Sequence, residues 1–358
     1  MTAFDIIVSK TDYHDTSVRE RPKAVLKPGQ VRLTIDKFAL TANNVSYAVF
    51  ADFAGYWNFF PSDADGYGRV PYWGFADVTE SLCETVPAGT RVYGYIPASS
   101  DLVVEPAALD PFGFTDASAH RADLPAFYNR YHLTKTDIAY VEAFEDMQML
   151  VRPLYATGWL LDDMLMSRET PPSQVIVTSA SSKTAMAYGL KAREREGLTL
   201  TGLTSARNAD FVRSTGIYDH VVTYDALDDL PKINPTILCD FYGDAGLRQR
   251  ASEALGDHMN ANVAIGGTNW NAPRPEDAAS GPTAEFFFAP SHADLCAKRM
   301  GGEAFVKALN SDMVNVYPTM QNLVTPEKRT GAEAMINAWE ETLNGEISPK
   351  TGLIISLK

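Results

Sequence analysis

Residues 172–193, PSQVIVTSASSKTAMAYGLKAR, change their pattern twice within a short stretch. Val175, Ile176 and Val177 form a continuous apolar run behind a Pro-Pro break, and a small polar turn follows at Ser179-Ala180-Ser181-Ser182. Ala185, Met186, Gly189 and Leu190 then recur at helical spacing. The stretch predicts strand, turn and helix. Upstream, residues 4–8, 30–38, 75–81 and 91–96 carry β-branched and aromatic side chains between Gly, Pro and Asp punctuation, so the first hundred residues read as β-rich. Residues 58–71 read as loop. Residues 97–130 hold Pro, Gly and Asp with little periodicity and read as an excursion from the β-rich part. Residues 147–165 predict a helix broken near its start by Pro153.

Downstream of the turn the pattern alternates. Strands are predicted at 199–203, 221–223, 236–241 and 262–265. Between them lie a helix at 209–215, capped by Asn208 and stopped at Gly216, and a helix at 246–255 stopped by Gly256. Such alternation predicts an α/β domain with a parallel sheet and right-handed crossovers. Residues 285–289 are a further strand candidate, and 330–343 is a helix stopped at Asn344-Gly345. The last strand, 352–357, has its simplest partner in the N-terminal β-rich part, which makes that domain discontinuous.

A strand that feeds a helix through small residues has the form of a dinucleotide phosphate site. The helix N-terminus offers unpaired backbone N–H groups and a partial positive charge to a pyrophosphate. A P-loop is excluded, because GxxxxGK[ST] would need glycine at 177 and 182, where Val177 and Ser182 stand. NAD sites place an acid roughly 20 residues beyond the turn to hold the ribose hydroxyls. Here that place reads Thr204-Ser205-Ala206-Arg207-Asn208, without an acid. Ser205 and Arg207 suit a 2′-phosphate instead, which favours NADP. The alternatives are a turn that binds nothing and an Arg207 that is only solvated.

Composition narrows the classes. The 358 residues fit two domains, and 45% hydrophobic with 21% charged residues is ordinary for a chain with a substantial core. A net charge of −14 without a long basic run argues against nucleic acid and acidic membrane surfaces as partners. Cys83, Cys239 and Cys296 lie far apart and none has CxxC spacing, so a disulfide framework is not expected and a reducing cytoplasm is. Neither a secretory signal nor a run of roughly 18 apolar residues is seen.

Several stretches carry a family likeness. Residues 38–44, FALTANN, lead from a strand to Asn43-Asn44; residues 70–78, VPYWGFADV, follow a P…G…V form; residues 87–94 read PAGTRVYG; residues 155–159 read YATGW; and Asp240-Phe241-Tyr242-Gly243 has a D..G form. With the closing helix and strand, this order resembles the medium-chain dehydrogenase/reductase superfamily, on its zinc-independent, quinone-oxidoreductase-like side, in a sub-branch usually described only as being of unknown function. The resemblance implies a Rossmann-type domain at 146–316. It also implies a discontinuous, GroES-like β-rich catalytic domain at 1–145 and 317–358, with substrate between them and a homodimer paired through the strand at 285–289.

The resemblance also distributes roles. Ser179, Ser182 and Ala185 stand where the family's turn has its glycines; small residues still permit close backbone approach, less freely than glycine. Ser179, Ala180, Ser181, Ser182, Lys183 and Thr184 would cradle the phosphates, with serine hydroxyls and Lys183 as added donors. Ser205 and Arg207 would take the 2′-phosphate, and Tyr224 would lie toward the adenine. Asn43, Thr157, Tyr242, Gly243, Gly266, Gly267 and Thr268 complete the cofactor set, although Gly266-Gly267 is equally a plain turn signal. The histidines at 14, 120, 132, 220, 258 and 292 are scattered, and no zinc ligand set assembles in sequence. Each histidine reads as a surface or core residue. Asp162-Asp163 and Asp228-Asp229 read as solvated turns or caps, since sequence neighbours do not face each other on a helix.

Without zinc the reaction needs another acid. Tyr56 is the first candidate and Tyr47 the second; the alternative is aromatic packing among Phe50, Phe53, Phe59 and Phe60. The expected activity is NADPH-dependent hydride transfer to an activated C=C or C=O of a small, apolar substrate. The alternative is a non-catalytic protein that binds NADP or another ligand on the same scaffold.

Overall fold

A computed structural model describes residues 2–266 and 284–358. In chain order it places β1 (Thr2–Ser9), β2 (Thr16–Pro22), β3 (Val31–Leu40), α1 (Ala42–Val49), α2 (Ala51–Ala54), β4 (Tyr67–Gly68), β5 (Pro71–Ser81), β6 (Arg91–Pro97), β7 (Asp101–Val104), β8 (Pro106–Asp110), β9 (Gly113–Asp116), β10 (Arg130–Leu133) and α3 (Glu145–Met166). Then come β11 (Gln174–Val177), α4 (Lys183–Ala192), β12 (Thr199–Thr204), α5 (Ala209–Ser214), β13 (His220–Thr223), β14 (Thr236–Asp240), α6 (Ala245–Leu255), β15 (Met259–Ala264) and β16 (Glu285–Phe286). The chain closes through α7 (Ala289–Met300), α8 (Gly302–Leu323), β17 (Thr325–Thr330), α9 (Ala332–Leu343) and β18 (Thr351–Ser356). It divides into two compact units, Met1–Leu150 with Met320–Lys358, and Val151–Thr319.

The first unit is β-rich. Its larger sheet runs β17-β18-β3-β5-β6-β10-β9-β8, with β7 on β3, and a smaller sheet runs β2-β1-β4. β18 lies antiparallel to β3, with Leu353 opposite Leu40, as its apolar run required. Residues 97–130 are not an excursion: β7, β8 and β9 all join the larger sheet. Strands of four or five residues leave no window in which alternation becomes visible. Their polar residues work as turn organisers. Asp116 Oδ1 accepts the Glu105 and Ser118 N–H groups and the Ser118 hydroxyl.

The second unit is built on a parallel sheet in the order β13-β12-β11-β14-β15-β16. Counted from β11 this is 3-2-1-4-5-6, the Rossmann order, with its switch point between β11 and β14. β11 is buried along its whole length because both of its faces are covered. Ile176, Leu203, Val222, Leu238, Leu247 and Leu255 share one core cluster. Helix α3 runs through Pro153 rather than breaking there, so Tyr155–Trp159 lie within the helix and not at its start. Dense burial around Met149, Leu150, Val151, Leu154 and Tyr155 outweighs the missing N–H. The strand expected at 285–289 is only Glu285–Phe286, at the sheet edge, and Ala289 already opens α7.

Asp162 is no solvated turn either. It is buried on α3 and paired with Arg195, whose Nε lies 3.1 Å from Oδ2. Among the described residues no helix is long and apolar enough to cross a membrane.

Candidate functional site

In the second unit, the residues singled out from sequence gather at the carboxyl ends of four parallel strands. Ser179 follows β11, Arg207 follows β12, Tyr224 follows β13, and Tyr242 with Gly243 follows β14. In a doubly wound sheet this is the edge where ligands bind.

The turn after β11 is built residue by residue. Ser179 has φ +50°, a left-handed conformation normally left to glycine. Its N–H donates to the Tyr224 hydroxyl at 3.1 Å. Ala180 N–H donates to the Leu203 carbonyl at 3.2 Å, which ties the turn to β12. Ser181 Oγ accepts from Asn208 Nδ2 at 3.1 Å. Asn208 therefore does not cap α5, as its position suggested; its side chain is committed to the turn. Ser182 is the cap of α4, and its hydroxyl accepts the Ala185 N–H at 3.3 Å. Among the described residues the first-turn N–H groups of Lys183 and Thr184 have no acceptor, and they lie at the positive end of the helix.

Lys183 stands at the first position of α4. Among the described residues no acid pairs with it. Burial pushes its pKa down to about 8, since little around the ammonium compensates its lost water. An anion beside it would restore that balance.

Behind the turn, Asp240 is a buried organiser. Its Oδ1 accepts from the Thr178 hydroxyl at 2.7 Å and from the Tyr242 and Gly243 N–H groups, both at 3.0 Å. Its Oδ2 accepts from Arg248 Nη1 at 2.6 Å. Thr178 Oγ1 in turn accepts the Phe241 and Tyr242 N–H groups. The D..G stretch thus holds the loop after β14 against the turn after β11. Tyr242 stacks on Tyr224 with ring centroids 5.1 Å apart, forming an aromatic wall beside Ser179. Arg207 is exposed on the short turn after β12, and Ser205 is half-buried beside it.

The remaining candidates fall elsewhere. Gly266 closes β15, its N–H donating to the Asp240 carbonyl at 3.3 Å. Gly267 and Thr268 lie outside the described residues. Thr157 sits within α3, its hydroxyl donating to the Pro153 carbonyl at 3.0 Å. The neighbouring Gly158 is needed for packing: a Cβ there would come within 2.7 Å of the Tyr188 backbone on α4.

Asn43 belongs to the first unit, on the first turn of α1. Tyr47 and Tyr56 are both buried, with ring centroids 4.7 Å apart. Tyr47 Oη accepts from Trp73 Nε1 at 3.2 Å, and the Tyr56 and Tyr128 hydroxyls meet at 3.3 Å. Burial raises the pKa of both tyrosines, so each phenol keeps its proton at neutral pH. Tyr95, Tyr128 and Trp73 pack in the same cluster.

The family described as protein of unknown function (DUF2855) matches residues 38–348. The chain belongs to this family. No curated protein matches it in sequence. Among solved structures, the CurK enoyl reductase is 12% identical with a TM-score of 0.60, over 99% of both chains. CurA from Vibrio vulnificus in complex with NADPH is 13% identical with a TM-score of 0.57, over 99% of both chains. The quinone oxidoreductase from Coxiella burnetii is 14% identical with a TM-score of 0.53, over 100% of both chains. At these identities the likeness is one of fold. This DUF2855 member has the two-domain fold of the medium-chain dehydrogenase/reductases, a Rossmann-type sheet and a separate β-rich domain.

Three side chains that matter here give no usable signal in the sequence. Asn208 looks like a cap because Asn before a helix usually is one. Thr178 and Tyr128 carry no local signal; their partners lie 62 and 72 residues away.

Proposed function

We propose that this DUF2855 member is an NADPH-dependent reductase that does not use zinc at its reacting centre. The observation that carries the reading is the turn after β11. A serine holds the left-handed place of a glycine, and the turn ends in N–H groups and a Lys183 ammonium that have no partner among the described residues. The pyrophosphate would lie on the α4 N-terminus, with Lys183 and the Ser181 and Ser182 hydroxyls around it. Arg207 and Ser205 would hold the 2′-phosphate, and the Tyr224–Tyr242 wall would lie against the adenine side. The likeness in fold to an enoyl reductase, a quinone oxidoreductase and a protein solved in complex with NADPH supports this assignment.

Bound NADPH supplies hydride to an activated C=C or C=O of a small, apolar substrate. For the proton, Tyr56 is the proposed donor. Its phenol is protonated at neutral pH, and the Tyr128 hydroxyl beside it is placed to replace the proton given up. A homodimer joined through the edge strand β16 belongs to the same proposal.

The deciding experiment is fluorescence titration with NADPH and NADH. The expected result is NADPH binding in the micromolar range and weaker NADH binding. Absence of both at millimolar concentration ends the proposal. The engaged, buried hydroxyls of Tyr47 and Tyr56 favour a second reading, a nucleotide-binding protein without turnover. NADPH oxidation in the presence of enones, quinones or aldehydes separates the two.

A further inference from the structure

Away from the strand ends, three chemically distinct donors converge within the second unit. Asp163 lies near the end of α3, and His292 and Cys296 lie four residues apart on α7, on one face of that helix. His292 Nε2 is 2.9 Å from Asp163 Oδ2, and Cys296 Sγ is 3.2 Å from the same oxygen. All three ligand atoms lie within 4.8 Å of one another. Arg299, one helical turn further along α7, donates from Nη2 to Asp163 Oδ1 at 2.5 Å. The two carboxylate oxygens thereby differ in role. The guanidinium holds Oδ1, and Oδ2 is turned toward the imidazole and the thiol.

We propose that Asp163, His292 and Cys296 form a zinc-binding site that joins α3 to α7. One imidazole nitrogen, one thiolate and one carboxylate are a donor set that tetrahedral Zn²⁺ accepts. Metal–ligand bonds of about 2.0–2.3 Å set donor atoms roughly 3.4–3.6 Å apart in a tetrahedron. The observed separations reach that arrangement through shifts of a few tenths of an ångström at Oδ2 and a modest closing of the remaining pair. Binding releases the thiol proton to solvent, so the Asp163 and Cys296 charges balance the metal's two. A water completes the coordination, entering from the side of the partly exposed His292 and Asp163. Arg299 takes the part of an outer partner that fixes which carboxylate oxygen faces the metal.

Because Asp163 and His292 are 129 residues apart in sequence, the ion closes a long loop and ties the region after the sheet edge back to α3. This site is independent of the nucleotide reading and stands or falls without it.

The test uses the full chain, stripped with chelator, reloaded with Zn²⁺ and desalted. The expected result is about one zinc per chain and a rise of about 5 °C in Tm. Replacement by Co²⁺ should show thiolate charge-transfer absorption and the d–d bands of a tetrahedral site. His292→Ala and Cys296→Ser should lose the metal and the Tm rise, while His220→Ala, an exposed histidine on β13, keeps both. Asp163→Asn keeps the shape and the acceptor facing Arg299 but puts an amide NH₂ where Oδ2 stood; it should stay folded and lose the metal, which covers the case in which a smaller residue unfolds the protein. A wild-type chain that keeps no zinc and shows no thiolate band overturns the site. So does retention of metal by His292→Ala and Cys296→Ser.

Discussion

The turn after β11 and the aromatic cluster around Tyr56 are both rich in hydroxyl groups, yet they use them in opposite ways. In the turn, hydrogen bonds shape the backbone and leave capacity over: among the described residues, the first N–H groups of α4 and the Lys183 ammonium have no partner. In the cluster, the Tyr47 hydroxyl is taken by Trp73 and the Tyr56 hydroxyl by Tyr128, with rings packed around both. Unspent polar capacity in a half-buried place costs stability unless a ligand uses it. Satisfied polar groups cost little and read as core. The contrast supports the proposed ligand site at the turn more than it supports the proposed chemistry at the tyrosines.

The sharpest way to break that contrast is to remove what holds the turn in shape. Asp240→Ala leaves the partly buried Arg248 without this carboxylate and several donors unanswered, and should cost roughly 3–5 kcal/mol in urea unfolding. A loss under 1 kcal/mol would mean that the loop does not depend on it. Next is Tyr56→Phe, which should slow NADPH oxidation about 100-fold and leave the NADPH Kd unchanged. Unaltered turnover would return Tyr56 to the packing role that the cluster already offers it.

Lys183→Ala should weaken NADPH about 10- to 30-fold, the worth of one charge-assisted contact. The wild-type affinity should be greatest below pH 8 and fall as pH rises through about 8, where the ammonium loses its proton. Folding has the opposite sign. The folded-state pKa lies below the ordinary 10.5, so the free protein gains stability as pH rises from about 8 toward 10.5. Affinity that is flat from pH 7 to 9 would remove Lys183 from the phosphate site. Arg207→Ala is a smaller step, about 10-fold for NADPH with little change for NADH; equal losses refute the 2′-phosphate role. Smallest is Ser179→Gly, which relieves a left-handed serine and should stabilise the fold by about 1 kcal/mol while keeping NADPH binding.

Legibility in the sequence depended on whether the signal was local. β11 and β14 announce themselves as apolar runs, and a parallel α/β sheet follows from the alternation of strands with helices. β2 and β17 do not. TSVRERP and TPEKRT are charged, exposed edge strands whose sequences guard against further pairing rather than advertise a strand. The serines of the turn were visible as substitutes for glycine, but the conformation of Ser179 was not. Its N–H is held by Tyr224, 45 residues away. The Asp163–His292–Cys296 group was invisible for the same reason. Two scattered residues and half of an apparently solvated acid pair become a cluster only when α7 packs on α3.

The position of β18 bears on how the protein is made. Thr351–Ser356 sits between β17 and β3, with its apolar residues in the sheet interior. During synthesis, every residue of the parallel-sheet unit leaves the ribosome before β18 does, so that unit has its full set of strands first. The β-rich unit begins earlier and must wait. Until residue 356 emerges, the β18 side of β3 is an open edge able to pair with another chain. Ribosome stalling late in the message should therefore yield nascent chains with a formed Rossmann unit and an aggregation-prone N-terminal half.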